Sequence, residues 1–294
     1  MARGLAATPW VEELLPHIVD EIEANVAPRY KPKWNYLDQE YVEYGCGYYG
    51  CVLPTHDDKV VLKLTTDRTE ARFVTNALHG DQDVTRGLVR FHAIRWVVGA
   101  RRADREFDTV FAIWREAIMP FPGNLPKPIA DRMRGMDDAV RQLFNVYMNV
   151  GRAHEWLSLL GRAAELEDAA RAKMRRSPGH GRYALPFVQF FVNMTFEERA
   201  FGMARLLVYL DQEIRSLPQD PPFFDAIRAY YERGWLFADL RADNLGFRQA
   251  NPYHGRWHDP ELVIADPGHA VPLREDAFDI WNANPPPTLG KPRT

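Results

Sequence analysis

The sequence predicts an α+β protein in which a small, β-rich lobe precedes a larger, mainly helical lobe. Short stretches rich in β-branched and aromatic residues, which are typical of strands, are concentrated between Tyr41 and Met119. The stretch 119–123 then contains two prolines and a glycine, which interrupt both helices and strands. Beyond it, helical patterning dominates in segments 129–136, 137–176 (two or three helices), 195–217 and 222–233.

The chain has 294 residues and is long enough to bury sizeable cores. These patterns divide it into five parts. The parts are an N-terminal helical extension (1–36), a small lobe (37–118), a hinge (119–123), a helical lobe (124–283) and a tail (284–294). Because the tail contains three consecutive prolines, we expect it to pack poorly.

Each element has a local justification in the sequence. A helical pattern opens at Thr8-Pro9, a capping hydroxyl followed by a first-turn proline, and ends at Ala27-Pro28. In the small lobe, the polar cluster 54–58 predicts a hairpin between two strands, and Gly80 closes a predicted helix that starts at Asp67. The predicted strands of the whole chain are 41–44, 50–53, 59–64, 88–98, 109–119, 235–238, 245–248 and 262–265.

Composition excludes several classes of protein. Lys+Arg 37 against Asp+Glu 40 gives a net charge of −3, so nucleic acid is not expected as a partner. No apolar run approaches the roughly 18 residues that span a bilayer, and Glu12 and Glu13 stand where a signal peptide would need its apolar stretch. Only two cysteines occur, Cys46 and Cys51, too few for a disulfide framework or a zinc site. We therefore expect a soluble protein in the reducing cytoplasm, without a membrane partner.

A glycine-rich motif lies at the start of the small lobe. Gly45, Gly47 and Gly50 fit the pattern G-x-G-x-x-G-x-V, which ends at Val52. Glycines let a backbone turn approach phosphates closely. A dinucleotide-binding fingerprint would need a helix directly after the last glycine, whereas here a strand follows. This context predicts a glycine-rich flap between two antiparallel strands.

Four other residues are candidates for chemistry. Lys63 lies in an otherwise apolar strand, 13 positions after Gly50 (63 − 50), where its ammonium would lie beneath the flap. Asp239 and Asn244 follow one short apolar strand, and Asp266 ends another. Taken alone, the lysine is more simply a solvent-facing residue and each aspartate a turn former. All these elements in this order are much less expected by chance.

The order of these motifs resembles the protein-kinase-like superfamily, which includes eukaryotic-type protein kinases and the aminoglycoside and choline kinases. Residues 237–244 (FADLRADN) resemble the catalytic loop H-R-D-L-x-x-x-N, and residues 266–268 (DPG) resemble the metal-binding D-F-G. The resemblance covers roughly 41–268 and is weak between 126 and 218. It implies a bilobal kinase fold with a small β-rich N-lobe and a larger, mainly helical C-lobe.

The resemblance also implies a site for ATP and Mg²⁺. The residues it places around the nucleotide are Gly45, Gly47, Tyr49, Gly50, Val52, Val61, Lys63, Glu116 and Ile118. Among them the glycines and Tyr49 would cover the phosphates, and Lys63 would hold the α- and β-phosphates. The backbone groups of Glu116 and Ile118 would bind adenine. Val52 and Val61 would form the apolar roof over the base.

The catalytic and metal-binding roles follow from the same resemblance. Asp239 would accept or orient the proton of the attacking hydroxyl, while Asn244 and Asp266 would hold magnesium. Arg241 would contact the transferred phosphate, and a surface arginine is an equal alternative. Glu70, seven residues beyond Lys63 (70 − 63), is the candidate ion-pair partner of that lysine, although a D-x-x-E capping box also explains it.

The chain departs from the family pattern in two places. Phe237-Ala238 replaces the His-Arg that precedes the catalytic aspartate, and 26 residues follow Gly268 (294 − 268), too few for an activation segment and the usual terminal helices. The arrangement is therefore closer to small-molecule kinases and other atypical members than to regulated protein kinases.

We expect an ATP- and magnesium-dependent kinase that moves the γ-phosphate to a hydroxyl acceptor. The basic residue Arg241 favours a protein as the acceptor, whereas the missing activation segment favours a small molecule. Between the two, we expect a protein acceptor by a narrow margin. The alternatives are a small-molecule kinase of the aminoglycoside or choline type, a nucleotide-binding pseudokinase that acts as an interaction module, and a nucleotidyl transferase.

Overall fold

The computed structural model describes residues 18, 21–35, 40–41, 45–46, 50–80, 86–97, 101–102, 105–106, 110–121, 123–150, 152–175, 194–248 and 261–289. The chain divides into two compact units. Unit 1 contains Met1–Asp83, Val89–Met119 and Ile280–Thr294, and unit 2 contains Val84–Leu88 and Pro120–Asp279. The protein is mixed α+β, with a small sheet region and a helical part, which confirms the α+β class that the sequence predicts. In the described part of the chain, no helix has the length and apolar character that crossing a membrane requires.

The strands are β1 (Trp34–Asn35), β2 (Glu40–Tyr41), β3 (Gly45–Cys46), β4 (Gly50–Pro54), β5 (Val60–Thr65), β6 (Phe91–Val97), β7 (Arg101–Arg102), β8 (Arg105–Glu106), β9 (Val110–Glu116), β10 (Met119–Pro120), β11 (Trp235–Phe237), β12 (Leu245–Arg248), β13 (Glu261–Ile264), β14 (Ala270–Pro272) and β15 (Thr288–Leu289). The helices are α1 (Arg68–His79), α2 (Lys127–Val150), α3 (Ala153–Glu165), α4 (Glu167–Arg175), α5 (Phe196–Arg215), α6 (Phe223–Glu232) and α7 (Asp276–Ala283). Short 3-10 turns lie at Pro28–Tyr30 and Ala242–Asn244.

Unit 1 is built on a six-stranded sheet in the order β15-β6-β9-β5-β4-β3. The predicted hairpin is present, since β4 and β5 pair in antiparallel register from Gly50↔Thr65 to Pro54↔Val61. Its turn is closed by two hydrogen bonds: the hydroxyl of Thr55 donates to the carbonyl of Val60 (2.8 Å), and the N–H of Val60 donates to the carbonyl of Asp57 (2.9 Å).

One face of this sheet carries the core of unit 1. Apolar side chains from five strands pack there with residues of the N-terminal helix, which is helical at 21–25. The central members of this cluster are Ile18, Ile22, Leu53, Leu62, Leu64, Ala112 and Trp114. The helix predicted before Ala27 is therefore found in its described part, while its predicted start at Thr8 lies outside the described residues.

The tail was expected to pack poorly, and that prediction is wrong for its described residues, 284–289. β15 pairs in parallel with β6, and Leu289 is buried in the core of unit 1. The proline run does not prevent this pairing, because a proline carbonyl can still accept: the N–H of Trp96 donates to the carbonyl of Pro287 (3.0 Å).

In its described residues, unit 2 contains helices α2 to α6 and the first half of α7. Helix α5 packs against α2, α3, α4 and α6. It begins with a complete capping box between Thr195 and Glu198, close to its predicted start. Helix α2 is continuous across Met136 and Asp137, where the sequence had been divided into two segments. That predicted boundary is wrong, because the aspartate inside the apolar stripe is satisfied here by the backbone N–H of Asp239 and by Arg141, one turn further along the same helix.

Two antiparallel strand pairs order the loops of unit 2. β11 pairs with β14 (Phe237↔Ala270), and β12 pairs with β13 (Leu245↔Ile264). Segments 238–244 and 265–269 each connect a strand of one pair to a strand of the other. The two pairings therefore fix both ends of both segments. The segments contain Asp239, Asn244 and Asp266, the polar residues predicted from sequence, and these residues lie in one region of unit 2.

Candidate functional site

Lys63 is buried and paired. It lies on β5, between β4 and β9, and its Nζ lies 2.7 Å from Oε1 of Glu70 on α1. The two side chains are only 8% and 2% exposed. The interpretation of Lys63 as a solvent-facing residue therefore does not apply, and the predicted lysine–glutamate pair is present.

Of the two interpretations of Glu70, the ion pair is present, whereas the capping box is formed only in the half that the Asp67 side chain supplies. The Asp67 carboxylate caps helix α1 by accepting from the backbone N–H groups of Thr69 (2.7 Å) and Glu70 (3.3 Å). The N–H of Asp67 itself donates to Oγ1 of Thr65 (3.1 Å). Because the cap uses the backbone of Glu70, its carboxylate is available to hold the ammonium of Lys63.

The predicted adenine roof shares a sheet face with this pair. Val52 is directly opposite Lys63 in the β4–β5 register, and Val61 precedes Lys63 by two residues on the same strand. Residues opposite one another on paired strands, and residues two apart on one strand, point to the same face. Val52, Val61 and Lys63 therefore lie on one side of the sheet, opposite the main core cluster.

The glycine-rich motif is described at its two ends only. β3 and β4 pair with Gly45 opposite Val52, as expected for strands that flank a flap, whereas Gly47 and Tyr49 lie outside the described residues. At Gly50 a side chain is excluded by the fold itself, because a Cβ would lie 1.8 Å from the carbonyl oxygen of Leu64. The requirement for glycine at this position therefore comes first from its close approach to β5.

Cys51 in this region is buried and disulfide-bonded. The antiparallel register of β3 and β4 places it opposite Cys46. Disulfides persist in oxidising compartments, so this finding differs from the reduced cysteines that the composition led us to expect.

The segment predicted to bind adenine through its backbone is partly committed to other contacts. The N–H of Glu116 donates to the carbonyl of Arg90 (2.8 Å), and its carboxylate accepts from the N–H of Arg90 (3.2 Å). The N–H of Ala117 donates to the carbonyl of Lys59 (2.8 Å). Of the two residues predicted here, Ile118 is therefore the better candidate to donate its N–H to a base.

In unit 2, Asn244 connects segment 238–244, which contains Asp239, with segment 265–269, which contains Asp266. Its carbonyl oxygen accepts from the N–H groups of Ala265 (2.8 Å) and Asp266 (3.2 Å). Its own N–H donates to the carbonyl of Arg241 (3.0 Å). Asn244 and Asp266, the two predicted metal ligands, are thus adjacent through a backbone contact.

The Asn244 side chain also holds Asp239. Its Nδ2 donates to the backbone carbonyl of Asp239 (2.7 Å) and to Oδ2 of the carboxylate (3.1 Å). Asp239 has φ of 64°, a left-handed conformation that costs a non-glycine residue about 1–3 kcal/mol unless its surroundings hold it. Nε of Arg241 lies 2.8 Å from Oδ1 of the same carboxylate, with the arginine side chain 57% exposed.

These residues suit a magnesium ion in contact with phosphates. Because Nδ2 of Asn244 is turned toward Asp239, its amide oxygen is turned away and can face a cation. An amide oxygen and the carboxylate of Asp266 are the hard ligands that Mg²⁺ takes, usually with only one or two carboxylates besides phosphates and water. In the part of the chain that the structure describes, no group of three or more His, Cys, Asp or Glu could hold a metal ion. Asn244 and Asp266 alone would leave most of the coordination sphere of such an ion to other oxygen ligands.

Sequence reasoning missed two residues, Asp137 and Arg141. Oδ1 of Asp137 accepts from the backbone N–H of Asp239, and Oδ2 accepts from Nε of Arg141 (2.8 Å). Nη2 of Arg141 donates to Oδ1 of Asp239. A signal was present: Asp137 lies in register with the buried Met133, Met136 and Val140, where an aspartate needs specific partners.

The candidate residues therefore form two groups, one within each unit. Comparison of the chain with protein-family models, with curated proteins and with solved structures found no match. The chemistry of these two groups and the sequence motifs that contain them are therefore what indicate a function.

Proposed function

We propose that this protein is an ATP- and Mg²⁺-dependent phosphotransferase of bilobal protein-kinase-like fold, which moves the γ-phosphate of ATP to a hydroxyl group, with a protein acceptor favoured over a small molecule. The observation that carries the proposal is the arrangement around Asn244, which is adjacent to Asp266 and bound to Asp239. A carboxylate for the acceptor and two oxygen ligands for a metal are what phosphoryl transfer requires.

In this proposal the residues of unit 1 bind the nucleotide. Lys63 would hold the α- and β-phosphates, and Glu70 would orient its ammonium, since the pair is already formed and buried. Val52 and Val61 would contact the adenine from the sheet face that they share with Lys63, while Ile118 would donate its N–H to the base. Gly45, Gly47, Tyr49 and Gly50 would cover the phosphates.

The residues of unit 2 would carry out the transfer. The acceptor hydroxyl would lose its proton to Asp239, the acceptor oxygen would form a bond to the γ-phosphorus, and the bond from that phosphorus to the β–γ bridging oxygen would break, releasing ADP. A bound Mg²⁺, held by Asn244 and Asp266, would supply charge neutralisation on the phosphates. Oδ2 of Asp239 accepts one hydrogen bond from Asn244, and a carboxylate oxygen can accept about two, so the acceptor hydroxyl has a place to bind.

Arg241 has the exposure and position to follow the transferred phosphate. Its guanidinium pairs with Asp239 at 2.8 Å while its side chain remains 57% exposed. An exposed ion pair of this kind is worth about 1 kcal/mol or less, so it can be exchanged for contact with a phosphate. Because the reaction consumes ATP, we propose the cytoplasm as its location, although the disulfide at Cys51 is more typical of oxidising compartments.

Transfer of differently labelled phosphates tests the proposal. The protein is incubated with Mg²⁺ and ATP labelled at either the γ- or the α-phosphate, together with protein acceptors and with hydroxyl-bearing small molecules. We expect γ-label on an acceptor with the wild type, and a rate lower by about 10²–10⁴-fold for Asp239→Asn, because the proton acceptor is lost. Asp266→Ala should also abolish transfer, since it removes a metal ligand.

Asp168→Asn, at an exposed position in the first turn of α4, is the matched control and should leave the rate unchanged. The class of acceptor that receives the label distinguishes a protein kinase from a small-molecule kinase. Transfer of the α-label would contradict the proposal in favour of nucleotidyl transfer, and nucleotide binding without transfer to any acceptor would favour a pseudokinase.

A further inference from the structure

We propose that Asp137 and Arg141, one helical turn apart on α2, are positioning residues that hold Asp239 for the transfer reaction. Asp137 fixes the backbone of Asp239, and Arg141 fixes its carboxylate. This inference rests on the proposed function, in which Asp239 receives the acceptor proton, and it assigns a role to two residues that lie about 100 positions earlier in the chain.

Asp137 is a buried charge whose two oxygens are both used. The residue is 7% exposed, Oδ1 accepts from the N–H of Asp239, and Oδ2 accepts from Nε of Arg141. A buried carboxylate is costly unless it is hydrogen-bonded and paired. A leucine would fill the same place in the apolar stripe of α2 without that cost, so stability alone gives little reason for an aspartate here.

The conformation of Asp239 explains what the contact with Asp137 achieves. With φ of 64°, Asp239 would relax toward an ordinary backbone conformation if its polar groups were released. Its carbonyl oxygen is held inside the loop, by Nδ2 of Asn244 and by the N–H of Arg241 (2.8 Å). Its N–H is held from outside the loop, by Asp137. Helix α2 therefore fixes the backbone from which the Asp239 carboxylate projects.

Arg141 adds a second hold on the same residue. Its guanidinium bridges two carboxylates, with Nε on Asp137 and Nη2 on Asp239. Partial burial lowers the pKa of Arg141, but the hydrogen bond from Asp137 and the charges of Asp137, Asp239 and Asp138 raise this pKa more, so the group stays charged. Lysine offers no planar fork with which to bridge two carboxylates.

The two arginines at Asp239 differ in what they can fix. Arg141 belongs to a 24-residue helix and is 33% exposed, whereas Arg241 belongs to the same loop as Asp239 and is 57% exposed. Only an anchor outside the loop can set the position of the loop itself. Arg141 therefore serves as the fixed partner of the carboxylate and Arg241 as the exchangeable one.

The test compares Asp137→Ala, Arg141→Gln and Arg141→Lys with Arg132→Gln. Arg132 lies on the same helix and pairs with Glu213 (3.1 Å), so its substitution removes a similar ion pair away from Asp239. We expect Asp137→Ala and Arg141→Gln to lower kcat about 10²-fold, the cost of misplacing a reacting group by about 1 Å, with the affinity for ATP unchanged. Arg141→Lys, which keeps the charge and should fold, should give an intermediate kcat, and Arg132→Gln should leave kcat unchanged.

Amide hydrogen exchange gives a readout that does not depend on activity. Asp137→Ala should make the N–H of Asp239 exchange about tenfold faster, as expected when a hydrogen bond worth about 1.4 kcal/mol is lost, while Arg132→Gln should not. An unchanged exchange rate, or a kcat of Arg141→Gln equal to that of the wild type, would overturn the inference. A wild type that transfers no γ-phosphate would instead refute the proposed function, and the exchange rates would still decide whether α2 holds the loop.

Discussion

The Lys63–Glu70 pair of unit 1 and the Asp137–Arg141–Asp239 group of unit 2 hold charged groups in different ways. Lys63 and Glu70 are 8% and 2% exposed and lie 2.7 Å apart on a central strand and the following helix. The side chains of Arg141 and Asp239 are 33% and 29% exposed, and only Asp137 is largely buried. This difference indicates that the first pair is a condition of folding, whereas the second group mainly sets an orientation.

The largest expected effect concerns the stability of unit 1. Lys63→Met leaves the Glu70 carboxylate buried without its ammonium, which should lower the free energy of unfolding by about 3–5 kcal/mol. Replacing both partners, as Lys63→Met with Glu70→Leu, should restore most of that loss. Denaturant unfolding of the single and double variants measures this difference.

The matched control is the exposed pair of the same unit, Lys33 and Asp58, whose side chains are 37% and 86% exposed. Lys33→Met should leave the unfolding midpoint unchanged, because an exposed pair contributes little. A double variant at Lys63 and Glu70 that regained stability and also transferred phosphate at the wild-type rate would contradict the binding role of Lys63.

A smaller effect is expected at the strand that supports Lys63. Gly50→Ala would place a Cβ 1.8 Å from the carbonyl of Leu64, so β4 and β5 must shift apart. Overpacking of this kind costs about 1–3 kcal/mol, and thermal unfolding should show it. Gly161→Ala is the control: a Cβ there meets nothing within 4 Å and sits in helix α3, so this variant should be stabilised by about 0.5–1 kcal/mol. A Gly50→Ala protein as stable as the wild type would contradict the close approach of β4 to β5.

The same comparison explains what could be predicted from the sequence. Lys63 and Glu70 are only seven residues apart, and the resemblance to kinases, which pair a strand lysine with a glutamate of the following helix, is what indicates the pair. The hairpin at 54–58 and the capped start of α1 were equally local. Each depends on contacts within a few residues, where turn and capping preferences are strong.

Long-range contacts account for what the sequence did not predict. Asp137 is about 100 positions from Asp239, and its burial in α2 becomes understandable only when its partner is known. The packing of the tail through Leu289 likewise depends on an edge of β6 that no local pattern near the prolines indicates. The sequence shows an aspartate in an apolar helical stripe, which indicates that it needs a partner. It does not show which residue that partner is.

The most direct test of the account is the magnesium dependence of ATP binding, measured by calorimetry for the wild type and for Asp266→Ala. We expect Mg²⁺ to tighten ATP binding to the wild type by at least about tenfold, equivalent to about 1.4 kcal/mol, and we expect Asp266→Ala to lose this gain. A wild type that binds no ATP, or an Asp266→Ala protein that keeps the full gain, would contradict it.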